Sequence, residues 1–359
     1  MKPLLEPVRF RNGVSARNRV ALAPMTNQQS HEDGSLGEDE LRWLVRRAEG
    51  GFGIVITCAA HVAKDGQGWP GELGVFDDAL LPGLRRLTAE LHARGALAFV
   101  QLYHGGLRAD ASVSGSRPWS ASESEGDPGA RAATDDDLER VIEQFGQAAR
   151  RSHEAGFDGA EIHGAHGYLM TQFLSRVENR RTDGWGGPLE RRARLVREVT
   201  RSVRASVPDS FVVGIRLSPE DAGNAHGLDL DENVQVARWL CEDGADYLHL
   251  SRLNAQENTA KRPDQHTLKV FRPAVPEDVL LFTAGQIWTR DEAERLLELG
   301  ADVVALGRPA IVNPDWPLRA AEPGWEPRRP PLTPKELGAL AVSPGFAEYL
   351  RGWQGLVAP

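Results

Sequence analysis

Eight short apolar runs, each followed by an amphipathic stretch, constrain the fold of this chain more than any other feature. The runs are Arg19–Pro24, Gly53–Cys58, Ala96–Leu102, Gly159–His163, Phe211–Leu217, Ala245–Ser251, Val279–Ala284 and Asp302–Gly307. Parallel strands buried on both faces read as continuous apolar segments of this kind, because neither face meets water. The spacers carry helix chemistry. Thr134 and Asp135–Asp137 form an N-terminal cap ahead of Leu138, Val141, Ile142, Phe145 and Ala149, which share one helical face. Thr289–Glu292 reads as a capping box ahead of Ala293, Leu296 and Leu297. Gly95, Gly156, Gly244 and Gly300 each stand where a helix ends before a strand, the place for a left-handed residue.

Eight strand–helix alternations without a repeat or an internal boundary fit a single (β/α)8 TIM barrel over residues 1–359 better than an open doubly wound sheet. Two connections, Tyr103–Ala133 and His166–Pro188, are too long for simple loops. Both follow strands at the barrel face where active sites sit. The Pro-rich stretch Pro314–Pro334 reads as a surface connection to a C-terminal tail, with residues 321–359 outside the barrel proper.

Composition closes off other classes. A net charge of −9 disfavours a polyanionic partner such as nucleic acid. Cys58 and Cys241 are the only cysteines, too few for a disulfide framework or a four-cysteine metal site. The first residues lack an apolar signal region, and no run approaches the about 20 apolar residues of a membrane span. A soluble cytoplasmic protein without membrane contact is expected.

In a barrel the chemistry belongs to the strand ends. Those here are Pro24–Thr26, Cys58–Ala59, Gln101, His163 with His166, Arg216, Ala284–Gly285 and Gly307–Arg308. The set has hydrogen-bonding groups, small residues and two arginines, and no carboxylate cluster, which suits a flat, phosphorylated, mostly uncharged cofactor rather than a metal. His163 and His166 lack the third ligand a catalytic zinc needs. With Tyr168 they offer two donors for an oxygen and one acid for a neighbouring carbon. The string Gly66-Gln-Gly-Trp-Pro-Gly71 matches GxGxxG but lies beyond a strand end, with Pro70 where a helix should start. It is not read as a dinucleotide loop. Gly285 and Gly307-Arg308 are better phosphate candidates, since loops after barrel strands seven and eight recurrently form such a site. The other reading of Arg308 is a structural salt bridge.

Taken in order, several segments resemble the old yellow enzyme family of FMN-dependent ene-reductases over nearly the whole chain. They are Asn18-Arg-Val-Ala-Leu-Ala-Pro-Met-Thr26, Gln101-Leu-Tyr-His-Gly-Gly106, Gly156-Phe-Asp-Gly-Ala-Glu-Ile-His-Gly-Ala-His-Gly-Tyr-Leu169, Gln172–Ser175, Asn179–Asp183, Gly186-Gly187, Gly307–Pro309 and Asn313–Trp316. The resemblance is closest to the family's thermophilic-like branch, although Thr26 and Gln28 stand where that branch has Cys and Tyr, and Thr26 matches the other main branch.

The resemblance implies FMN as cofactor, NADPH or NADH as electron donor, and a small activated alkene as substrate. It implies that Pro24, Met25, Thr26, Ala59 and Gln101 hold the flavin ring, with Arg216 at the edge where charge collects on reduction. Gly285, Gly307 and Arg308 match the phosphate end, His163 and His166 the clamp on the substrate oxygen, and Tyr168 the proton donor. Gln28 joins the substrate contacts. The segment Tyr349–Trp353 is similar to a tail whose arginine enters the neighbouring subunit's site, which would make Arg351 part of a shared site in a homodimer or homotetramer. Other FMN barrel oxidases or dehydrogenases, a flavin sensor without turnover, and a cofactor-free isomerase are the competing readings.

Overall fold

The computed structural model describes residues 2–124 and 129–359; residues 125–128, inside the expected Tyr103–Ala133 connection, lie outside the described residues. Its centre is a closed parallel barrel of eight strands: β1 (Val20–Leu22), β2 (Ile54–His61), β3 (Leu97–Tyr103), β4 (Gly159–Gly164), β5 (Val212–Leu217), β6 (Tyr247–Ser251), β7 (Leu280–Ala284) and β8 (Val303–Leu306). Each pairs in parallel with its sequence neighbours, and β8 closes on β1 through Val304↔Val20, Ala305↔Ala21 and Leu306↔Leu22. All eight expected runs are therefore strands. The helix signals hold as well. Thr134 and Asp137 make a reciprocal capping box, as do Thr289 and Glu292. Gly95, Gly156, Gly244 and Gly300 have φ of 72°, 89°, 110° and 122°.

Two apolar cores follow from this topology. The larger lies between strands and helices; Leu138, Val141, Phe145 and Ala149 bury there from the Asp135–Glu154 helix. The smaller fills the barrel itself with Ile54, Ile56, Phe99, Val212, Tyr247, Phe282 and Val303. An N-terminal hairpin, Val8–Arg9 paired with Ser15–Ala16, adds Phe10 to that inner core and closes the amino end of the barrel.

The structure adds to three expectations. Strand β2 runs past Cys58 to His61, with a register shift between Ile56 and Ala59. This is a bulge that turns Ala59 towards the open end of the barrel. The long connections are not bare loops, since Trp119–Ser120 pairs with Arg131–Ala132 and a helix spans Leu169–Leu174. The C-terminal tail is folded onto the barrel: helices Pro334–Ala339 and Pro344–Arg351 pack down, and Phe346 and Leu350 are buried. No described helix is long and apolar enough to cross a membrane.

Candidate active site at the carboxyl end of the barrel

The strand ends and the tail enclose a cavity of about 560 Å³. Pro24, Met25, Thr26, Ala59, Gln101, His163, His166, Tyr168, Arg216, Gly285, Gly307 and Arg308 all line it. Gln28 does not: it is exposed, with φ of 54°, and stays outside the wall. Arg351 does not line its own chain's cavity either, and its Nε pairs with Glu348 at 3.0 Å.

The histidine–tyrosine segment is shaped by a sharp turn after β4. His166 and Gly167 have φ of 63° and 76° in succession, and a Cβ on Gly167 would stand 2.1 Å from the Asn224 carbonyl oxygen. Only glycine fits there, whereas His166 holds a left-handed conformation that side chains adopt at some cost. The turn brings the His163 ring 5.1 Å from His166 and 4.9 Å from Tyr168, centroid to centroid.

Hydrogen bonds fix what each ring can donate. Nδ1 of His163 accepts from the Ala165 N–H at 3.3 Å, which leaves Nε2–H as its donor. Ser251 accepts from Arg216 at 3.0 Å and lies 2.8 Å from Nε2 of His166. We assign the serine proton to that contact, which places the His166 proton on Nδ1. Burial pushes His163 down to about 3, with Arg216 adding to the effect, and holds His166 well below the ordinary value. Both are neutral at physiological pH. Burial raises the Tyr168 phenol, so it keeps its proton.

Beneath the cavity floor lies a network that strand-end reading missed. Glu161 accepts from Gln101 Nε2 at 2.7 Å, Tyr247 Oη at 3.1 Å and, at 2.8 Å, His249 Nδ1. Burial opposes its ionisation, but His249, Arg216 and Gln101 outweigh burial and hold the carboxyl below its usual range. The network holds one carboxylate and no cluster, and it escapes a reading of strand ends because Glu161, Tyr247 and His249 sit one layer down, on strands rather than at their tips. Trp69, Arg108, Ser251 and the tail residues Phe346, Tyr349, Leu350 and Trp353 also line the cavity and were not foreseen. Trp69 belongs to the dismissed glycine string. Those glycines serve close packing: a Cβ on Gly68 would meet the Tyr103 hydroxyl at 2.4 Å.

The site fits a flat cofactor with an anionic end. Arg216 donates to the Pro24 carbonyl at 3.2 Å, while its Nε is buried without a partner. Such an orphaned donor calls for a ligand acceptor. Elsewhere in the wall, a Cβ on Gly285 would come within 2.5 Å of the Arg252 carbonyl oxygen, so only glycine fits there. Arg308 makes no ion pair among the described residues; its guanidinium stands 5.7 Å from the Trp353 ring. The salt-bridge reading of Arg308 is therefore not what the structure shows.

Comparison with known proteins follows the same line. Residues 3–324 match the family described as NADH:flavin oxidoreductase / NADH oxidase. The chain is 38% identical over 330 residues to a probable NADH-dependent flavin oxidoreductase, YqiG, of Bacillus subtilis, covering 89% of this chain and 88% of that one. It is 35% identical over 334 residues to NADH:acrylate oxidoreductase of Vibrio harveyi, covering 89% of this chain but 33% of that longer protein. An old yellow enzyme homologue of Zymomonas mobilis superposes with a TM-score of 0.81 at 31% identity, over 93% of this chain and 98% of the other.

Proposed function

This chain belongs to the NADH:flavin oxidoreductase / NADH oxidase family, as an FMN-dependent, old yellow enzyme-type NAD(P)H oxidoreductase, and from that premise we propose that it reduces activated alkenes. The observation that carries the reading is the His163–His166–Tyr168 trio: two neutral donors and one protonated phenol, with the His163 ring 5.1 and 4.9 Å from the other two, all lining the cavity. When bound, FMN would supply the hydride chemistry that links NAD(P)H oxidation to reduction of an α,β-unsaturated carbonyl or nitro compound at its β-carbon.

The chain's own residues do the rest. His163 Nε2–H and His166 Nδ1–H hold the substrate oxygen, where negative charge builds as hydride arrives. Because they are neutral and fixed, they stabilise that charge without reorganising. Tyr168 gives its proton to the α-carbon. Pro24, Met25, Thr26, Ala59 and Gln101 cradle the ring, with Gln101 held in place by Glu161. Arg216 would set a fixed cation against the ring edge, where its unpartnered Nε is free for an acceptor. Gly285, Gly307 and Arg308 would hold the phosphate.

The holoenzyme is expected to bleach anaerobically with NADH or NADPH and to recolour on adding 2-cyclohexenone or a maleimide. Tyr168→Phe should slow the recolouring by ~10²–10⁴ and leave the bleaching rate nearly intact. Equal loss in both half-reactions would remove Tyr168 as proton donor. Bleaching that no activated alkene reverses would favour an oxidase or a sensor.

A further inference from the structure

Four arginines line the cavity, Arg108, Arg216, Arg252 and Arg308, and no Asp or Glu is among its described lining residues. In a chain of net charge −9 this is a concentrated positive field, and each cation needs an account. Arg252 is neutralised by Glu220. Arg216 and Arg308 belong to the ring edge and phosphate of the flavin. Arg108 is left over.

Arg108 sits at the end of the short Gly106–Arg108 turn after β3. Its Nη1 donates to the His166 carbonyl at 2.7 Å, and its guanidinium lies 4.3 Å from the centre of the Tyr168 ring. It makes no ion pair among the described residues. Glu178 faces it from beyond ion-pair distance, and burial pushes that carboxyl towards its neutral form. The remaining guanidinium N–H groups are not among the buried, unpartnered atoms, and Arg108 is half-buried in the cavity wall, so a ligand can reach them. Backbone and ring hold the fork in place, and its free side suits a carboxylate.

We propose that Arg108 is a carboxylate subsite beside the oxygen clamp, so that the substrate class is an activated alkene bearing both a conjugated carbonyl and a carboxylate. The inference rests on the ene-reductase reading of the same site. It adds a second anchor: the carbonyl oxygen lies between His163 and His166, while the carboxylate lies over Tyr168, and the pair of contacts sets the α-carbon against the phenol. A single-point clamp would leave the substrate free to turn about its oxygen.

The test compares 4-oxopent-2-enoate with its methyl ester, which share the enone but differ in charge, bulk and alkene activation, so the change in their ratio between wild type and variant is what reports on Arg108. The wild-type acid-to-ester ratio in kcat/KM sets the reference. In Arg108→Gln the acid-to-ester ratio should fall ~10-fold or more, whatever loss both substrates share, and Arg108→Lys should recover part of it. A binding arm needs no turnover. The saturated 4-oxopentanoate should bind wild-type holoenzyme by calorimetry more tightly than its ester, and that difference should vanish in Arg108→Gln. An unchanged ratio and an unchanged binding difference would overturn the subsite. A defect confined to flavin reduction by NAD(P)H would also overturn it, by giving Arg108 to the dinucleotide's phosphates. If neither acid nor ester recolours the reduced enzyme while the binding difference is present, the alkene-reductase reading fails and the carboxylate subsite stands.

Discussion

Glu72 is a carboxyl group that the fold buries completely without a cation to pair it. Oε2 accepts from the Gly68 N–H at 2.6 Å, but Oε1 has no partner. His61 stands 3.8 Å away and offers no charge, because burial pushes it down to about 3. Burial correspondingly drives the Glu72 carboxyl well above the carboxylate range, against the pull of the Gly68 and Trp69 backbone. The unfolded chain would release this proton near pH 4.3, whereas the folded chain keeps it. The folded state is therefore fully favoured below the unfolded pKa and loses that contribution as pH rises towards the folded value. Glu72→Gln removes the proton from the balance, and its amide oxygen can still take the Gly68 N–H. Melting temperatures from pH 5 to pH 8 should show the variant gaining on wild type as pH rises; parallel curves would mean that Glu72 is ionised in the fold. None of this was legible in the sequence. Glu72, Tyr103 and Trp69 converge only because Gly68 lets β3 and the loop after β2 approach, a contact between segments that periodicity does not encode. His163, His166 and Tyr168 were legible because they share one turn, and their geometry is local.

Strands and helix caps are local too, which is why they could be read. A parallel strand buried on both faces needs only a run of apolar residues, and a helix that hands over to a strand needs a residue tolerant of positive φ, which Gly95 and Gly300 provide. The bulge in β2 and the folded tail depend on partners far away in sequence. Arg47 shows how the tail is held. Fully buried against the Trp43 ring at 3.2 Å, it donates to the carbonyls of Trp43, Ala310, Ile311 and Leu340, tying the first barrel helix to the segment after β8 and to the tail between its two helices. Beyond it, Phe346 packs edge-on against Trp43 at 5.0 Å, and Ala358 donates to Leu332 at 2.8 Å. The tail is thus a roof, with Phe346, Tyr349, Leu350 and Trp353 on its inner side. Deleting residues 343–359 should make bound FMN more accessible to iodide quenching and speed its release by ~10-fold, the loss of about 1.4 kcal/mol of cover. Quenching and release equal to those of the full chain would mean that the roof does not reach the flavin.

At the scale of the whole molecule the barrel separates stability from chemistry along its axis. The carboxyl end carries four arginines and is partly open, and it holds a left-handed His166 and unpartnered groups. The amino end is dry. There Phe10 enters between Phe99, Tyr247 and Phe282, with ring centroids 5.7, 6.1 and 6.2 Å away, and the hairpin that carries it covers the strand starts. The two ends share Tyr247, whose ring packs in the inner core and whose hydroxyl reaches Glu161 under the active site. Removing the Phe10 ring would leave a cavity that the closed barrel cannot collapse to fill, at a cost of about 3–5 kcal/mol. If the partition holds, Phe10→Ala melts several degrees lower, while its rates of flavin reduction and of 2-cyclohexenone reduction at 25 °C stay within about twofold of wild type. A matching fall in both rates would show that the inner core transmits strain through Tyr247 to Glu161 and Gln101, and that the two ends of the barrel are mechanically one site.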